Sequence, residues 1–329
     1  MPRISQQIIC GLKALGVPAF FFTLSMKGDL KMQVQRSFEA AAEGGALYVV
    51  GTPIGHLQDL SPRAKEILER ADVIAAEDTR HTRKLLTRFD ISKKNLVSYH
   101  EHNRKSRGPQ LIDRLLEGAS VALVSDAGMP AISDPGAELV REALERGIPV
   151  IPVPGPNAAI TALVASGIPP VPFVFLGFLP RVPKDREREL SRWKEAEAAL
   201  VCYEAPHRVI STLESVGRVL GDRRMALARE MTKTHEEWLR GKVSEILAHL
   251  AEHPPRGEYT MVISGADSAD RAGDSEEKWW SSLTVEEHVE WYLRRGQSKK
   301  EAIRSAARDR SLPKREVYRI VHFENKDEN

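Results

Sequence analysis

Cysteine is almost absent from this chain, which has only two in 329 residues, Cys10 and Cys202. Neither has a second Cys or a His at ligand spacing, which argues against a disulfide framework and against a thiolate metal site. A reducing compartment fits this usage, and we expect a cytoplasmic protein. An excess of charge of one sign is also missing, since the formal net charge is +2. Any electrostatic preference must therefore come from local clusters.

The usual nucleotide-binding motifs are missing as well. The sequence has no Gly-x-Gly-x-x-Gly and no Walker-type phosphate loop, which argues against a dinucleotide or an ATP site. One largely apolar run, residues 8–26, resembles a signal sequence, but no small-residue cleavage site follows it. We expect residues 1–45 to be an extension that is disordered, or an artefact of an upstream start codon. We expect no membrane association.

Five short apolar runs are present in the first half of the chain, and each ends in polar, glycine or proline residues. The runs are Leu47 to Val50, Val73 to Ala76, Leu96 to Tyr99, Val121 to Val124 and Val150 to Val153. Segments with helical period separate them, which predicts a parallel sheet with helices on both faces. Because ligands bind beyond the carboxyl ends of parallel strands, we expect all five polar segments to line one pocket.

A second α/β domain is predicted after the proline-rich break at 167–172. Its predicted strands lie at 173–176, 199–203, 225–228 and 259–263, and hairpin-like neighbours at its end favour a mixed sheet. We therefore divide the chain into an extension (1–45), an N-terminal α/β domain (46–167), a C-terminal α/β domain (168–265), a polar linker (266–278) and a helical module (279–329).

The helical module is basic. Three short helices are predicted at 285–294, 298–309 and 314–321, and from Glu290 to Arg319 ten Lys or Arg stand against four Asp or Glu. Two helices that are joined by a turn and carry basic faces are typical of nucleic-acid binding. A solvated subdomain that only caps the fold is an equally simple interpretation.

Several ordered motifs identify a family. They are Gly51-Thr52-Pro53-Ile54-Gly55, Ala75-Ala76-Glu77-Asp78-Thr79-Arg80, Ser125-Asp126-Ala127-Gly128, Ser133-Asp134-Pro135-Gly136, Pro154-Gly155-Pro156, Gly177-Phe178-Leu179-Pro180, Tyr203-Glu204-Ala205-Pro206-His207-Arg208 and Ala228-Arg229-Glu230-Met231-Thr232-Lys233. Residues 46–265 closely resemble the tetrapyrrole methylase superfamily, and within it the 2′-O-ribose methyltransferases of ribosomal RNA.

The resemblance implies S-adenosylmethionine as the methyl donor, held in the cleft between the two α/β domains, and a homodimer. The implied acceptor is a cytidine in the decoding region of 16S rRNA, as free RNA or within the small ribosomal subunit. The stretches that bind the donor in the family fall on Thr52, Pro53, Asp126, Met129, Pro130, Ala131, Ile132, Ser133, Asn157, Ala158, Tyr203, Glu204, Ala205 and Thr260. His56, Met129 and Asn157 depart from the family pattern.

A ribose hydroxyl is a weak acid, so a positioned base accelerates its methylation. Glu77 and Asp78 follow the second predicted strand and are the leading candidates, with His100 and Glu101 as further ones. Lys233 is a candidate to stabilise the alkoxide. The competing interpretation of Asp78 is that it caps the helix that follows, a frequent role of Asp.

Candidate contacts to RNA are basic residues near strand ends and in the loop after residue 180. They are Arg80, His100, Arg181, Lys184 and Arg186. His100 and His102 lack a third ligand nearby, so we expect no metal. Two alternatives keep the fold: a methyltransferase acting on a small tetrapyrrole-like acceptor, and a ribosome assembly factor without catalysis.

Overall fold

The computed structural model describes residues 34–37, 45–266, 280, 283–310 and 312–323. The chain divides into one unit of residues 1–266 and a second of residues 267–329. The predicted extension and linker lie largely outside the described residues. Within the described part of the chain, no helix is long and apolar enough to cross a membrane.

The N-terminal lobe is built on a parallel five-stranded sheet. Its strands are β1 (Leu47–Val50), β2 (Val73–Ala76), β3 (Leu96–Ser98), β4 (Val121–Val124) and β5 (Val150–Val153), in the order β3-β2-β4-β1-β5. Its helices are α1 (Pro62–Arg70), α2 (Thr79–Arg88), α3 (Arg104–Leu116) and α4 (Ala137–Glu145). Every strand pair is parallel, as the alternating pattern predicts.

Burial on both faces explains why these strands read as short, continuous apolar runs. Helices α1 and α2 cover one face, where Leu68 and Leu86 pack with Ile74 and Val124. Helices α3 and α4 cover the other. Local signals fix the helix starts: Ser61 accepts a hydrogen bond from the amide of Ala64 and Pro62 occupies the first turn, so α1 begins where the sequence predicts.

The C-terminal lobe contains a mixed sheet. Its strands are β6 (Phe173–Phe178), β7 (Ala199–Glu204), β8 (Arg224–Arg229), β9 (Glu237–Lys242) and β10 (Tyr259–Ile263), in the order β6-β7-β10-β8-β9. Its helices are α5 (Ala158–Ala165), α6 (Pro183–Ser191), α7 (Val209–Leu220) and α8 (Val243–Glu252). The β6–β7 pair is parallel and the other pairs are antiparallel.

Helix α5 corrects the predicted domain boundary. The prediction places it in the first domain, but its buried residues Ala159, Ala162 and Leu163 pack against strands of the second sheet, including Val201 and Val262. Small apolar residues allow this helix to lie close to the sheet. The chain therefore passes from one lobe to the other between β5 and α5.

Residues 34–37 depart from the predicted disorder of the extension. The side-chain amide of Gln35 donates to the carbonyl oxygen of Val150 at 3.0 Å and accepts from its backbone N–H at 3.0 Å. It thereby satisfies main-chain groups at the start of β5, which is an edge strand.

The second unit contains three helices in its described residues, α9 (Val285–Arg294), α10 (Lys299–Asp309) and α11 (Lys314–Phe323). Val289, Ile303, Ala306 and Val317 form a small core. Thr284 and Ser298 cap α9 and α10 with reciprocal glutamate contacts, which is why the sequence marks these helix starts clearly.

Candidate active site

A cavity of about 550 Å³ lies between the two α/β lobes. From the N-terminal lobe and the segment that leads into α5, its lining residues are Ile54, Glu77, Asp126, Ala127, Gly128, Met129, Ile132, Ser133, Asp134, Asn157 and Ala158. From the C-terminal lobe they are Phe178, Tyr203, Glu204, Ala205, Pro206, His207, Ala228, Glu230, Met231, Lys233, Glu258, Tyr259 and Thr260. A volume of this size is typical of cofactor sites.

Four of the five predicted strand-end segments meet at this cavity. The loops after β1, β2, β4 and β5 all contribute lining residues. The segment after β3 contributes none, which corrects the expectation that all five share the pocket. Strand β3 lies at the edge of the sheet opposite β5, and only the segment after β5 leads into α5, which packs on the second sheet.

Glycine allows two of these loops to touch. A Cβ atom on Gly51 would lie 2.7 Å from the Cα of Gly155, and one on Gly155 would lie 2.8 Å from the Cα of Gly51. No side chain fits between the two backbones. Thr52 binds the loop after β4. Its backbone pairs with Gly128, and its hydroxyl donates to the carbonyl oxygen of Ser125 at 3.2 Å.

Three carboxyl groups of the N-terminal lobe border the cavity: Glu77, Asp126 and Asp134. Burial raises the pKa of Glu77, and the nearby negative charges of Asp134 and Asp126 raise it further. Burial also raises the pKa of Asp134, against an opposing hydrogen bond from Ser125. Such a cluster favours a cationic ligand, which would relieve the repulsion between the carboxylates.

Aromatic side chains form part of the opposite wall. The ring of Tyr203 contacts Phe175 and Phe178 edge to face, with centroid distances of 5.0 and 5.7 Å. The Tyr203 hydroxyl accepts a hydrogen bond from the backbone N–H of Ala159 at 3.1 Å, which joins β7 to the start of α5. Asn157 caps the same helix by accepting from the amide of Ile160. Its side chain therefore has a structural role beside the cavity.

Lys233 lines the cavity from the C-terminal lobe. Its ammonium group lies 2.7 Å from the carboxylate of Glu258 and 3.1 Å from that of Glu230. Burial lowers the pKa of Lys233, but the two carboxylates outweigh this effect and the net pKa is raised. Lys233 therefore carries a positive charge at the cavity, offset by the carboxylates of Glu230 and Glu258, which also line it.

Most of the predicted donor-binding residues line the cavity. They are Asp126, Met129, Ile132, Ser133, Asn157, Ala158, Tyr203, Glu204, Ala205 and Thr260. Thr52, Pro53, Pro130 and Ala131 do not. Thr52 is buried and bonded to the protein, and Ala131 adopts a φ of 70°, which shapes the loop that presents Met129 and Ile132.

Asp78 is not a lining residue, and its contacts support the capping interpretation. Its carboxylate accepts from the amide of Arg80 at 2.8 Å and pairs with the Arg80 guanidinium at 2.7 Å. The hydrogen bonds from Arg80 hold the pKa of Asp78 far below its usual value. A carboxylate so strongly stabilised is a poor proton acceptor, so these contacts favour the capping interpretation of Asp78 over its role as the base.

Glu204 lines the cavity, but its buried carboxylate is fully engaged within the protein. It accepts from the hydroxyl of Thr212 at 2.7 Å and from the amide of Ala205 at 2.9 Å, and it pairs with Arg208 at 3.2 Å. These contacts fix the turn after β7. The carboxylate of Glu204 therefore has a structural role, while the prediction that the stretch Tyr203 to Ala205 binds the donor stays a prediction.

None of the predicted RNA contacts lines the cavity. Arg80, Arg181 and Lys184 are exposed and His100 is half-buried. Arg186 is 3% exposed, and its guanidinium donates to the hydroxyl of Ser215 and the carbonyl oxygen of Ser211. Phosphate contact by Arg186 is thus contradicted, because its charged group is buried against α7.

Residues that the sequence interpretation missed include Asp134, Glu230 and Glu258. Asp134 and Glu230 stand inside motifs that carry the resemblance, which was the available signal. Glu258 lies just before β10, outside these motifs, so no signal in the sequence indicated it. Among the described residues, no group of three or more His, Cys, Asp or Glu side chains could hold a metal ion.

Comparison with known proteins assigns the family. The family profile of the tetrapyrrole (corrin/porphyrin) methylases matches residues 46–247. A protein of Halalkalibacterium halodurans named ribosomal RNA small subunit methyltransferase I is 50% identical over 89% of this chain and 100% of its own length. Proteins with the same name from Bacillus subtilis and Synechocystis are 49% and 43% identical, over 88% and 84% of this chain and 98% and 97% of their own lengths.

Solved structures agree on the fold. Cobalt precorrin-4 methyltransferase superposes with a TM-score of 0.52 at 16% identity, covering 71% of this chain and 98% of its own. Diphthine synthase superposes with a TM-score of 0.54 at 15% identity, covering 67% and 90%. By its family and its curated relatives, this chain is a methyltransferase. The chain belongs to the tetrapyrrole methylase family.

Proposed function

We propose that the protein transfers a methyl group from S-adenosylmethionine to the ribose 2′-oxygen of a cytidine in the decoding region of 16S rRNA, within the small ribosomal subunit. The observation that carries the proposal is that a half-buried carboxyl of the N-terminal lobe, Glu77, and an ammonium group of the C-terminal lobe, Lys233, line one cavity. The name of the curated relatives supports RNA of the small subunit as the acceptor.

The residues of the cavity fit the donor. S-adenosylmethionine has a positively charged sulfur and an ammonium group, and the carboxylates of Asp126 and Asp134 complement both charges. Backbone groups of the Gly- and Pro-rich loops and the half-buried ring of Tyr203 offer main-chain and apolar contacts to an uncharged ring system. The donor would therefore lie against residues 126–134 and Tyr203.

When bound, the donor supplies an electrophilic methyl group on its positively charged sulfur. Glu77 accepts the proton of the ribose hydroxyl as the oxygen bonds to the methyl carbon. The bond between that carbon and sulfur breaks at the same time, and neutral S-adenosylhomocysteine is the leaving group. The raised pKa of Glu77 makes it a stronger base than an ordinary carboxylate. Lys233 stabilises negative charge on the reacting oxygen, and its two carboxylate partners hold it in place.

Methyl transfer to small ribosomal subunits by Glu77→Gln tests this assignment. We expect kcat to fall by about 10²- to 10⁴-fold, the usual contribution of a positioned base. Donor affinity measured by calorimetry should remain within a few-fold of the native value. Glu101→Gln is the matched control, because Glu101 is an exposed carboxylate that pairs with Arg104 outside the cavity. A native rate in Glu77→Gln would remove Glu77 from the mechanism.

The same assay separates the alternative acceptors. Labelled S-adenosylmethionine is offered with small ribosomal subunits, with free 16S rRNA or with a tetrapyrrole. Label in cytidine 2′-O-methyl groups supports the proposal. Label in the tetrapyrrole supports a small-molecule methyltransferase, and no label in any acceptor supports an assembly factor without catalysis.

We also propose that the protein is a cytoplasmic homodimer. Helix α5 and the start of β6 expose large apolar side chains: Val164 is 70% exposed, Val171 80% and Ile160 45%. A second copy covering this surface would remove the apolar area from water. Light scattering should give twice the monomer mass for the native chain and a smaller mass for Ile160→Lys/Val164→Glu. An rRNA acceptor supports the cytoplasm as the location.

A further inference from the structure

Helix α2 has an unusual distribution of charge. It carries four Lys or Arg and no Asp or Glu. We call Arg80, Arg83, Lys84 and Arg88 the α2 basic face. At 3.6 residues per turn these four residues fall within an arc of about 140°. The buried residues Thr82 and Leu86 lie on the opposite side of the helix, against the sheet.

Helices α1 and α4 of the same lobe pair cations with their own glutamates. Arg70 pairs with Glu66 on α1, and Arg141 pairs with Glu145 on α4. On α2, Arg80 pairs with Asp78, the residue that caps the helix. Among the residues that the structure describes, no carboxylate lies within 4.0 Å of the charged nitrogens of Arg83, Lys84 or Arg88.

This arrangement works against the stability of the isolated helix. Arg80 and Lys84 are four positions apart, as are Lys84 and Arg88, and like charges at this spacing repel. Arg80 also stands in the first turn, where the helix dipole disfavours a cation. A polyanion bound along the face would remove both penalties.

The α2 basic face begins at the mouth of the candidate active site. Glu77 lines the cavity, Asp78 caps α2, and the helix then runs outward for about 15 Å. Farther along, Arg83 lines a second cavity of about 500 Å³ together with Lys93, Lys94 and the carboxylate of Asp90. Three cations against one carboxylate leave this second cavity with a net positive charge.

We propose that the α2 basic face binds the phosphodiester backbone of the RNA strand whose nucleotide enters the active-site cavity. The inference rests on the proposed function and adds the surface that positions the acceptor. Lys and Arg contacts to phosphates supply affinity without reading bases, and they make binding depend on salt. The second cavity offers room for a phosphate of the same strand beside Arg83, Lys93 and Lys94.

The test uses the full-length protein and the variant Arg83→Gln/Lys84→Gln/Arg88→Gln. Fluorescence anisotropy with a 20-nucleotide single-stranded RNA of decoding-region sequence gives Kd from 50 to 300 mM KCl. Each single-strand phosphate contact adds about 0.7 to the log–log salt slope, so the slope should fall by about 2 in the variant. Affinity at 0.1 M salt should fall on the order of 100-fold.

The matched control is Arg70→Gln/Arg141→Gln/Arg146→Gln, which removes the same number of charges from helices where glutamates pair them. It should retain the native salt slope. With small subunits as substrate, the α2 variant should show a raised KM, an unchanged kcat and an unchanged Kd for S-adenosylmethionine. The single variant Lys84→Gln, expected to lower the slope by about 0.7, serves if the triple variant fails to fold.

Equal slopes in the native protein and the α2 variant, with methyl transfer to subunits intact, would overturn the inference and leave the proposed function standing. An equal loss of slope in the control would overturn it too, because only the total charge would then matter. If the native protein neither binds this RNA nor methylates subunits, the proposed function fails, and the inference fails with it.

Discussion

The contact between Gly51 and Gly155 gives the most specific prediction about the fold of the site. Replacing Gly51 by alanine places a Cβ 2.7 Å from the Cα of Gly155, where ordinary contact begins at 3.4 Å. The neighbouring atom belongs to the backbone and cannot rotate away. The loops after β1 and β5 must therefore separate by about 0.7 Å, the difference between these distances.

Overpacking of this kind costs about 1–3 kcal/mol. If the strain is relieved when the loops open, the loss appears in donor binding, as a rise of about 5- to 150-fold in the Kd for S-adenosylmethionine. If the loops stay closed, it appears as a fall in melting temperature of about 2–12 °C for a unit of this size. Titration calorimetry and thermal unfolding of Gly51→Ala and Gly155→Ala together detect both outcomes.

Gly217→Ala is the control. Gly217 lies within α7, and an added Cβ would lie 3.5 Å from the side chain of Val243, which is an ordinary contact. Alanine favours a helix interior by about 1 kcal/mol over glycine, so this variant should be unchanged or slightly more stable. Native donor affinity together with a native melting temperature in Gly51→Ala would refute the claim that the two loops are held in contact by their lack of side chains.

Three further predictions concern charged groups. The rate of methyl transfer should decline as pH falls through the raised pKa of Glu77, because only the deprotonated carboxylate accepts the proton. A rate that is independent of pH below neutrality would contradict this prediction. Burial and the charge of Arg310 lower the pKa of His288, so helices α9 to α11 should lose stability as pH falls below about 6.5. The loss should appear as faster hydrogen exchange of these helices, after correction for intrinsic exchange rates. Unchanged protection from exchange at about pH 5.5, below the ordinary pKa of His, would contradict this prediction. Arg186→Ala should lower the melting temperature, because it removes buried hydrogen bonds. The same variant should leave the salt slope of RNA binding unchanged. A flatter salt slope would support the predicted contact of Arg186 with phosphate.

The sequence predicted those elements whose pattern reflects burial on both faces. Strands β1, β2, β4, β5 and β10 lie where short apolar runs placed them. Strand β9, with the sequence Glu-Trp-Leu-Arg-Gly-Lys, was missed because it is a largely exposed edge strand without an apolar run. The helical period predicts a helix over 110–116, but α3 begins six residues earlier, at Arg104, because the packing of Leu111 and Leu115 outweighs the low helix propensity of Gly108 and Pro109.

The candidate site was predictable where position in the chain decides the role. The rule that ligands bind beyond strand ends, with the motifs, identified Glu77, Asp126 and Tyr203 as lining residues. It failed where neighbours in space decide which atoms remain available. Whether Asp78, Glu204 or Arg186 faces a ligand depends on partners such as Thr212 and Ser215, and sequence order does not place these partners.

The most direct test of the account is nucleoside analysis of small ribosomal subunits after incubation with the purified protein and methyl-labelled S-adenosylmethionine. The account predicts that the label appears in 2′-O-methylcytidine from the decoding region and is absent with Glu77→Gln. Label in a methylated base, or equal labelling by the native protein and Glu77→Gln, would contradict it.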